Sequence, residues 1–231
     1  MIAITTSSST SVNPRFTSPI LAEWDRTRNA SRLAFHEEPR WNPRPEFGYL
    51  RLPTVDELPQ LITFAEIEAK TLSLAEAIRR DYDDEPLLLV GVLKGSLFFL
   101  ASLALKLGRE VAIDFVSVSS YGDDTVSSGV VQIRKDLDIN IEGRNVLLVE
   151  DIVDTGATLV HLRELLSTRH PKSLKVVSLL SKLEAKGIDV PIEYVGFEIE
   201  DRFVVGYGLD HAERYRNLPY VAVLPGEHTS D

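Results

Sequence analysis

Two carboxylates, Glu150 and Asp151, stand at the end of an apolar run, Val146-Leu147-Leu148-Val149, and lead into Asp154-Thr155-Gly156-Ala157-Thr158. Adjacent carboxylates repel each other and need a counter-cation or hydroxyl partners. The turn after them opens a helix with Leu159, Leu162, Leu165 and Leu166 on one side. Free N–H groups, two hydroxyls and a glycine at a helix N-terminus suit a phosphate. Taken alone, the segment also reads as an acidic cap, with Asp154 or Thr155 closing the helix and the upstream carboxylates solvated. The two carboxylates directly upstream favour the ligand reading, since Asp-Thr-Gly by itself is a weak motif.

Four other segments carry usable chemistry. Lys94-Gly95-Ser96 follows a strand-like run and could aim backbone N–H groups at an anion; it could equally be a surface lysine before a helix. Tyr121 to Gly129, just after Ser120, is polar and glycine-bounded and reads as a loop. Lys182 lies two residues past the run Leu174 to Leu180. Phe203, Val204, Asp210 and Arg216 lie near the C-terminus, where core and turn roles are the plain alternative. The five histidines form no metal-ligand spacing; His161, His170 and His211 read as structural or surface residues.

The elements that must position these groups follow from periodicity. Ile67, Thr71, Leu74, Ala75 and Ile78 fall on one face of a helix over about 63–81. Leu87 to Leu93 reads as a buried strand, and Gly95 to Leu107 as a helix stopped by Gly108. Strands are expected over 111–119, 130–133, 145–153, 174–180 and 194–199, with a helix to about Ser167. Buried strands alternating with amphipathic helices give an α/β fold: a largely parallel twisted sheet with helices on both faces. Ligands of such sheets bind at the carboxyl ends of the strands. Residues 1 to 55, with six prolines and no sustained period, read as an N-terminal extension, partly disordered; residues 56 to 231 read as the domain.

The 231 residues suffice for one α/β domain plus an appendage. The net charge of -10 argues against a broad grip on nucleic acid or an anionic membrane. No apolar run reaches the ~20 residues of a membrane span, and Met1 to Ser11 lacks the features of a secretory signal. The absence of cysteine excludes thiol chemistry and fits a reducing, cytoplasmic setting.

The segment Val146 to Leu159 resembles the diphosphosugar-binding signature of type I phosphoribosyltransferases, most closely that of the hypoxanthine-guanine phosphoribosyltransferases. Val195 to Asp210 is similar to the family's purine-site segment, and the resemblance runs from about Asp56 to Leu224. It implies that phosphoribosyl diphosphate is held by Lys94, Gly95, Glu150, Asp151, Asp154, Thr155, Gly156, Ala157, Thr158 and Arg216. It implies a cis peptide before Lys94, Mg²⁺ held by Glu150, Asp151 and Asp210, and Asp154 as the general acid/base. A 6-oxopurine is implied to meet Lys182, Phe203, Val204 and Asp210, beneath a small C-terminal hood and a flexible lid containing Ser120 and Tyr121. A homodimer or homotetramer is expected. Leu183-Glu184-Ala185-Lys186 departs from the more basic versions of that wall, and the extension before Asp56 has no counterpart in the resemblance. Rival readings are a transferase for another base, such as xanthine, or a non-catalytic regulator on the same fold. The retained Asp154 and the acidic charge disfavour the regulator. A generic dinucleotide module is disfavoured because no G-x-G-x-x-G follows the first strand.

Overall fold

The computed structural model describes residues 58–120, 131–182 and 190–225. The expected N-terminal extension, nearly all of the expected lid including Tyr121, and the stretch from Leu183 to Lys186 lie outside the described residues.

Helix α1, Phe64–Tyr82, starts at a capping box: the Glu66 N–H donates to Thr63 Oγ1, and the Thr63 N–H donates back to Glu66 Oε2 at 2.8 Å. Its buried stripe is Ile67, Thr71, Leu74, Ala75, Ile78 and Tyr82, the face expected from the period plus one further turn. Strand β2, Leu87–Leu93, is followed by α2, Leu97–Leu107, which ends at the left-handed Gly108. Strands β3, Ala112–Ser120, and β4, Val131–Lys135, pair antiparallel. Strand β5, Asn145–Val153, leads through a short turn to α3, Ala157–Ser167. Strands β6, Ser173–Lys182, and β7, Tyr194–Ile199, complete a six-stranded sheet of order β4-β3-β2-β5-β6-β7, parallel except for β4.

Alternate residues of the central strands feed two cores. Leu87, Leu89, Leu147 and Val149 pack with Phe99, Leu103 and Ile78, which puts α1 and α2 on one face. Leu88, Val90, Val146 and Leu148 pack with Leu159, Leu162 and Leu166, which puts α3 on the other. The α/β architecture with helices on both faces is therefore the observed one.

The hood is a second sheet with strands from both ends of the described chain. Strand β1, Gln60–Ile62, pairs with β9, Val221–Val223, which pairs with β8, Val204–Val205. These strands are two or three residues long, too short to leave a period in the sequence. Leu58, Val205, Tyr215, Leu218, Ala222 and Leu224 form the hood's own core.

Several boundaries shift by a residue or two, and two of the shifts bear on the site. Helix α2 begins at Leu97 rather than Gly95, because Lys94 to Ser96 form a turn and the buried Ser96 hydroxyl donates to the Val92 carbonyl at 2.7 Å. Strand β6 runs through Lys182, since its pairing with β7 continues to Ile199.

Candidate active site

Strands β2 and β5 are neighbours, but the chain leaves β2 toward β3 and leaves β5 toward β6. The order of connection therefore reverses between them, and their carboxyl ends flank the crevice where ligands of open α/β sheets bind. Lys94-Gly95 follows β2, and Glu150 and Asp151 lie in the last turn of pleat of β5.

The pleat sends the two carboxylates to opposite faces. Glu150, buried, lines a cavity of about 100 Å³ together with Asp154, Thr155, Gly156 and Thr158. Asp151 instead meets Gly95: a Cβ added there would overlap Asp151 Oδ2, so only glycine lets the Lys94 turn lie against this carboxylate. A Cβ at Gly208 (φ +107) would likewise overlap the Gly95 carbonyl oxygen. Three segments thus converge by backbone approach: the Lys94 turn, the end of β5, and the hood loop that carries Asp210 and Arg216. The peptide bond between Leu93 and Lys94 is cis, as the resemblance implied.

Electrostatics at this junction are strained in the protein alone. Burial pushes the Glu150 carboxyl well above the usual carboxylate range, and the Asp151 charge adds to the effect. Burial also pushes Asp151 up to about 6, although N–H groups of Ile152 and Asp151 and the Arg216 charge pull it down; Asp210 pushes it up again. Among the described residues no three histidine, aspartate or glutamate side chains form a metal cage.

At the turn after β5, Gly156 (φ 79) is the N-cap of α3, with no side-chain cap. The acidic-cap alternative therefore does not describe this helix start. The Ala157 N–H has one long contact, 3.5 Å, to Thr155 Oγ1. Asp154, Thr155, Ala157 and Thr158 are exposed, so the helix N-terminus can accept an anion from solvent.

Lys182, at the end of β6, crosses to this turn. Its ammonium donates to Asp154 Oδ2 at 2.9 Å and to Asp201 Oδ1 at 2.8 Å, and its side chain is only 4% exposed. Burial pushes the Lys182 pKa down, but the two carboxylates outweigh it and the net shift is upward. Among the described residues two of the three ammonium donors are used by these carboxylates, which leaves one for a ligand acceptor.

On the hood, Arg216 donates to the Gly208 carbonyl and pairs with Asp210 Oδ1, each at 2.7 Å. Val204 is buried in β8, while Phe203 is half-buried and meets the edge of His211, ring centroids 5.4 Å apart. His211, expected to be structural or on the surface, takes this place beside Phe203; the pairing spans eight residues across a turn and leaves no local pattern. Ser120 ends β3, where it pairs with Val131. Two charged groups at the site were not singled out from sequence. Asp201 holds Lys182, and Glu213 accepts from Lys94 Nζ at 2.9 and 3.1 Å. The spacing Asp210, Glu213, Arg216 was the only available signal for the second.

A largely parallel sheet with a glycine-dependent turn, neighbouring acids and an open helix N-terminus at its switch point is an arrangement suited to a phosphorylated, hydroxyl-rich ligand. The family described as phosphoribosyl transferase domain matches residues 62–212. The chain belongs to that family. A hypoxanthine-guanine phosphoribosyltransferase of Bacillus subtilis (strain 168) is 51% identical over 164 residues, 71% of this chain and 91% of that protein. One of Mycobacterium avium is 50% identical over 170 residues, 71% of this chain and 84% of that protein. The crystal structure of a hypoxanthine phosphoribosyltransferase from Staphylococcus aureus superposes with a TM-score of 0.72 at 44% identity, covering 76% of this chain and 96% of that one. Among the described residues no helix is long and apolar enough to cross a membrane.

Proposed function

We propose that this protein serves purine salvage: it transfers the 5-phosphoribosyl group of phosphoribosyl diphosphate to hypoxanthine or guanine, giving IMP or GMP and diphosphate. The observation that carries the reading is Lys182, a buried ammonium with one donor left over, set beside Asp154 at an open phosphate-binding turn. Relatives at 51% and 50% identity bear the name of this activity.

In the reaction the bond from ribose C1 to a diphosphate oxygen breaks and a bond to a purine imidazole nitrogen forms. Negative charge grows on the departing diphosphate and positive charge on the ribose ring, so stabilisation is mainly electrostatic. The N–H groups from Thr155 to Thr158 and their hydroxyls hold the 5′-phosphate. Glu150 and Asp151 hold the ribose hydroxyls beside the developing cation. Lys94, Gly95 and Arg216 hold the diphosphate. Lys182 donates to the oxygen at purine position 6, Phe203 stacks on the base, and the Val204 backbone pairs with its edge. Asp154 takes the proton leaving the imidazole ring.

The donor set suits Mg²⁺, which takes one or two carboxylates and otherwise waters and substrate phosphates. Glu150, Asp151 and Asp210 form no single cage among the described residues, so an ion would take one or two of them, Asp151 with Asp210 or Glu150 on the other face, and the raised carboxyls of Glu150 and Asp151 are what a cation would relieve. When bound, it would neutralise charge on the diphosphate. A cytoplasmic location and a homodimer or homotetramer complete the proposal and are checked by fractionation and light scattering.

The test is a panel of kcat/KM values for hypoxanthine, guanine, xanthine and adenine at one magnesium and diphosphosugar concentration. The 6-oxopurines should be used and adenine rejected by ~10⁴–10⁵-fold, as expected of a site built around such hydrogen bonds. Comparable values for adenine and hypoxanthine would remove the Lys182 assignment and the choice of purine class.

A further inference from the structure

Two of the cations at the crevice, Lys94 and Arg216, lie against one carboxylate that the proposed reaction does not use. Glu213 accepts from Lys94 Nζ at 2.9 and 3.1 Å and lies 3.7 Å from the Arg216 guanidinium. Its own N–H donates to Asp210 Oδ2 at 2.8 Å, which fixes the loop beneath the carboxylate. Asp210 in turn pairs with Arg216 at 2.7 Å. The buried Nε of Arg216 has no acceptor among the described residues, so this guanidinium is only partly satisfied.

The backbone here is unusual. Ala212 (φ 50), Glu213 (φ 60) and Tyr215 (φ 73) all lie in the left-handed region, which non-glycine residues seldom occupy. Asparagine, aspartate or glycine would suit such a position better than glutamate. A glutamate there is explained by the reach of its side chain, which spans to Lys94, 119 positions away in sequence.

We propose that Glu213 is an internal stand-in for diphosphate, holding Lys94 and Arg216 in place in the empty site and surrendering them when the diphosphosugar or free diphosphate arrives. This rests on the function proposed above and assigns a residue that tunes it. The stand-in keeps two like charges from drifting apart or binding stray anions. It also weakens the grip on diphosphate, which favours release of the product. The side chains of Lys94 and Glu213 are 64% and 67% exposed, so the pair is a solvent-screened one and its effect on affinity is modest. Exposed ion pairs of this kind correspond to about a two- to fivefold change in a binding constant.

The experiment compares wild type, Glu213→Gln and Glu213→Asp by calorimetric titration with inorganic diphosphate and with phosphoribosyl diphosphate, at fixed Mg²⁺, with melting temperature measured alongside. Glutamine removes the charge. Aspartate keeps it but withdraws the carboxylate by about 1.5 Å, one C–C bond, beyond close contact with Lys94, and it tolerates left-handed backbone. Both variants should bind both ligands about two- to fivefold more tightly. Tightening in glutamine alone would show a general field effect and overturn the stand-in. Unchanged affinity in both, with only the melting temperature moved, would reduce Glu213 to a turn residue and also overturn it. Wild-type protein that binds neither ligand would refute the functional reading, and this proposal with it.

Discussion

Replacing Lys182 with glutamine tests the purine side of the site. The side chain is 4% exposed, and it holds Asp154 at 2.9 Å and Asp201 at 2.8 Å. Both partners are about half exposed, so water can screen them once the ammonium is gone. Breaking a fully buried pair costs about 3–5 kcal/mol; with that exposure, about 1–3 kcal/mol is expected here. Removal also changes what the base meets. The ammonium only donates, so an amino group at purine position 6 leaves its remaining N–H without an acceptor, whereas the glutamine amide can donate or accept. A hydrogen bond to a charged group is worth about 1.5–3 kcal/mol, which predicts a ~10–150-fold loss in kcat/KM for hypoxanthine. The pairing of the base edge with the Val204 backbone survives, so discrimination against adenine should fall from ~10⁴–10⁵ to ~10–100-fold rather than vanish. The assay is kcat/KM for both bases in wild type and Lys182→Gln, with a thermal melt of each. A variant that melts within a degree of wild type and keeps full selectivity would refute both the ion-pair accounting and the role given to Lys182.

Other perturbations reach the remaining parts. Asp154→Asn keeps the shape of the turn but removes the titratable oxygen; turnover should fall ~10²–10⁴-fold in single-turnover experiments while calorimetric binding of phosphoribosyl diphosphate changes far less. Asp151, raised from 3.8 to about 6 by burial, favours the fold when protonated. Its contribution to stability is thus greatest below about pH 4 and is lost as pH rises through about 6. At pH 8 the loss is about 3 kcal/mol, so Asp151→Asn should melt higher than wild type in ligand-free buffer at pH 8 and bind the diphosphosugar worse; a lower melt would contradict this. A Cβ at position 95 has no room beside Asp151 Oδ2, so Gly95→Ala should displace that carboxylate and cut kcat/KM at least ~10²-fold, read against an intact circular-dichroism spectrum.

Much of this site was legible in the sequence because it is local. The strand, turn and helix from Val146 to Leu166 announce themselves through an unbroken apolar run and a leucine period, and the structure keeps those boundaries. The opposite facing of Glu150 and Asp151 is also implied by a strand's two-residue period, though only the structure shows which face meets Gly95. What was hidden is non-local. That β2 and β5 adjoin is a matter of sheet order, which periodicity does not encode. The hood strands Gln60–Ile62, Val204–Val205 and Val221–Val223 are too short to show alternation. Glu213 gains its meaning from Lys94, 119 positions earlier, and Asp201 from Lys182, 19 positions earlier. Nothing in an acidic stretch such as Glu198 to Asp201 marks which carboxylate turns inward.

The central claim is that one crevice joins a 6-oxopurine to the ribose of a diphosphosugar. Phosphorus NMR on the protein with phosphoribosyl diphosphate, Mg²⁺ and hypoxanthine follows both products in one tube. Diphosphate and IMP should appear in equal amounts, with neither formed when hypoxanthine is omitted or replaced by adenine. Diphosphate released without nucleotide, or no reaction of the diphosphosugar with any 6-oxopurine, would contradict the account.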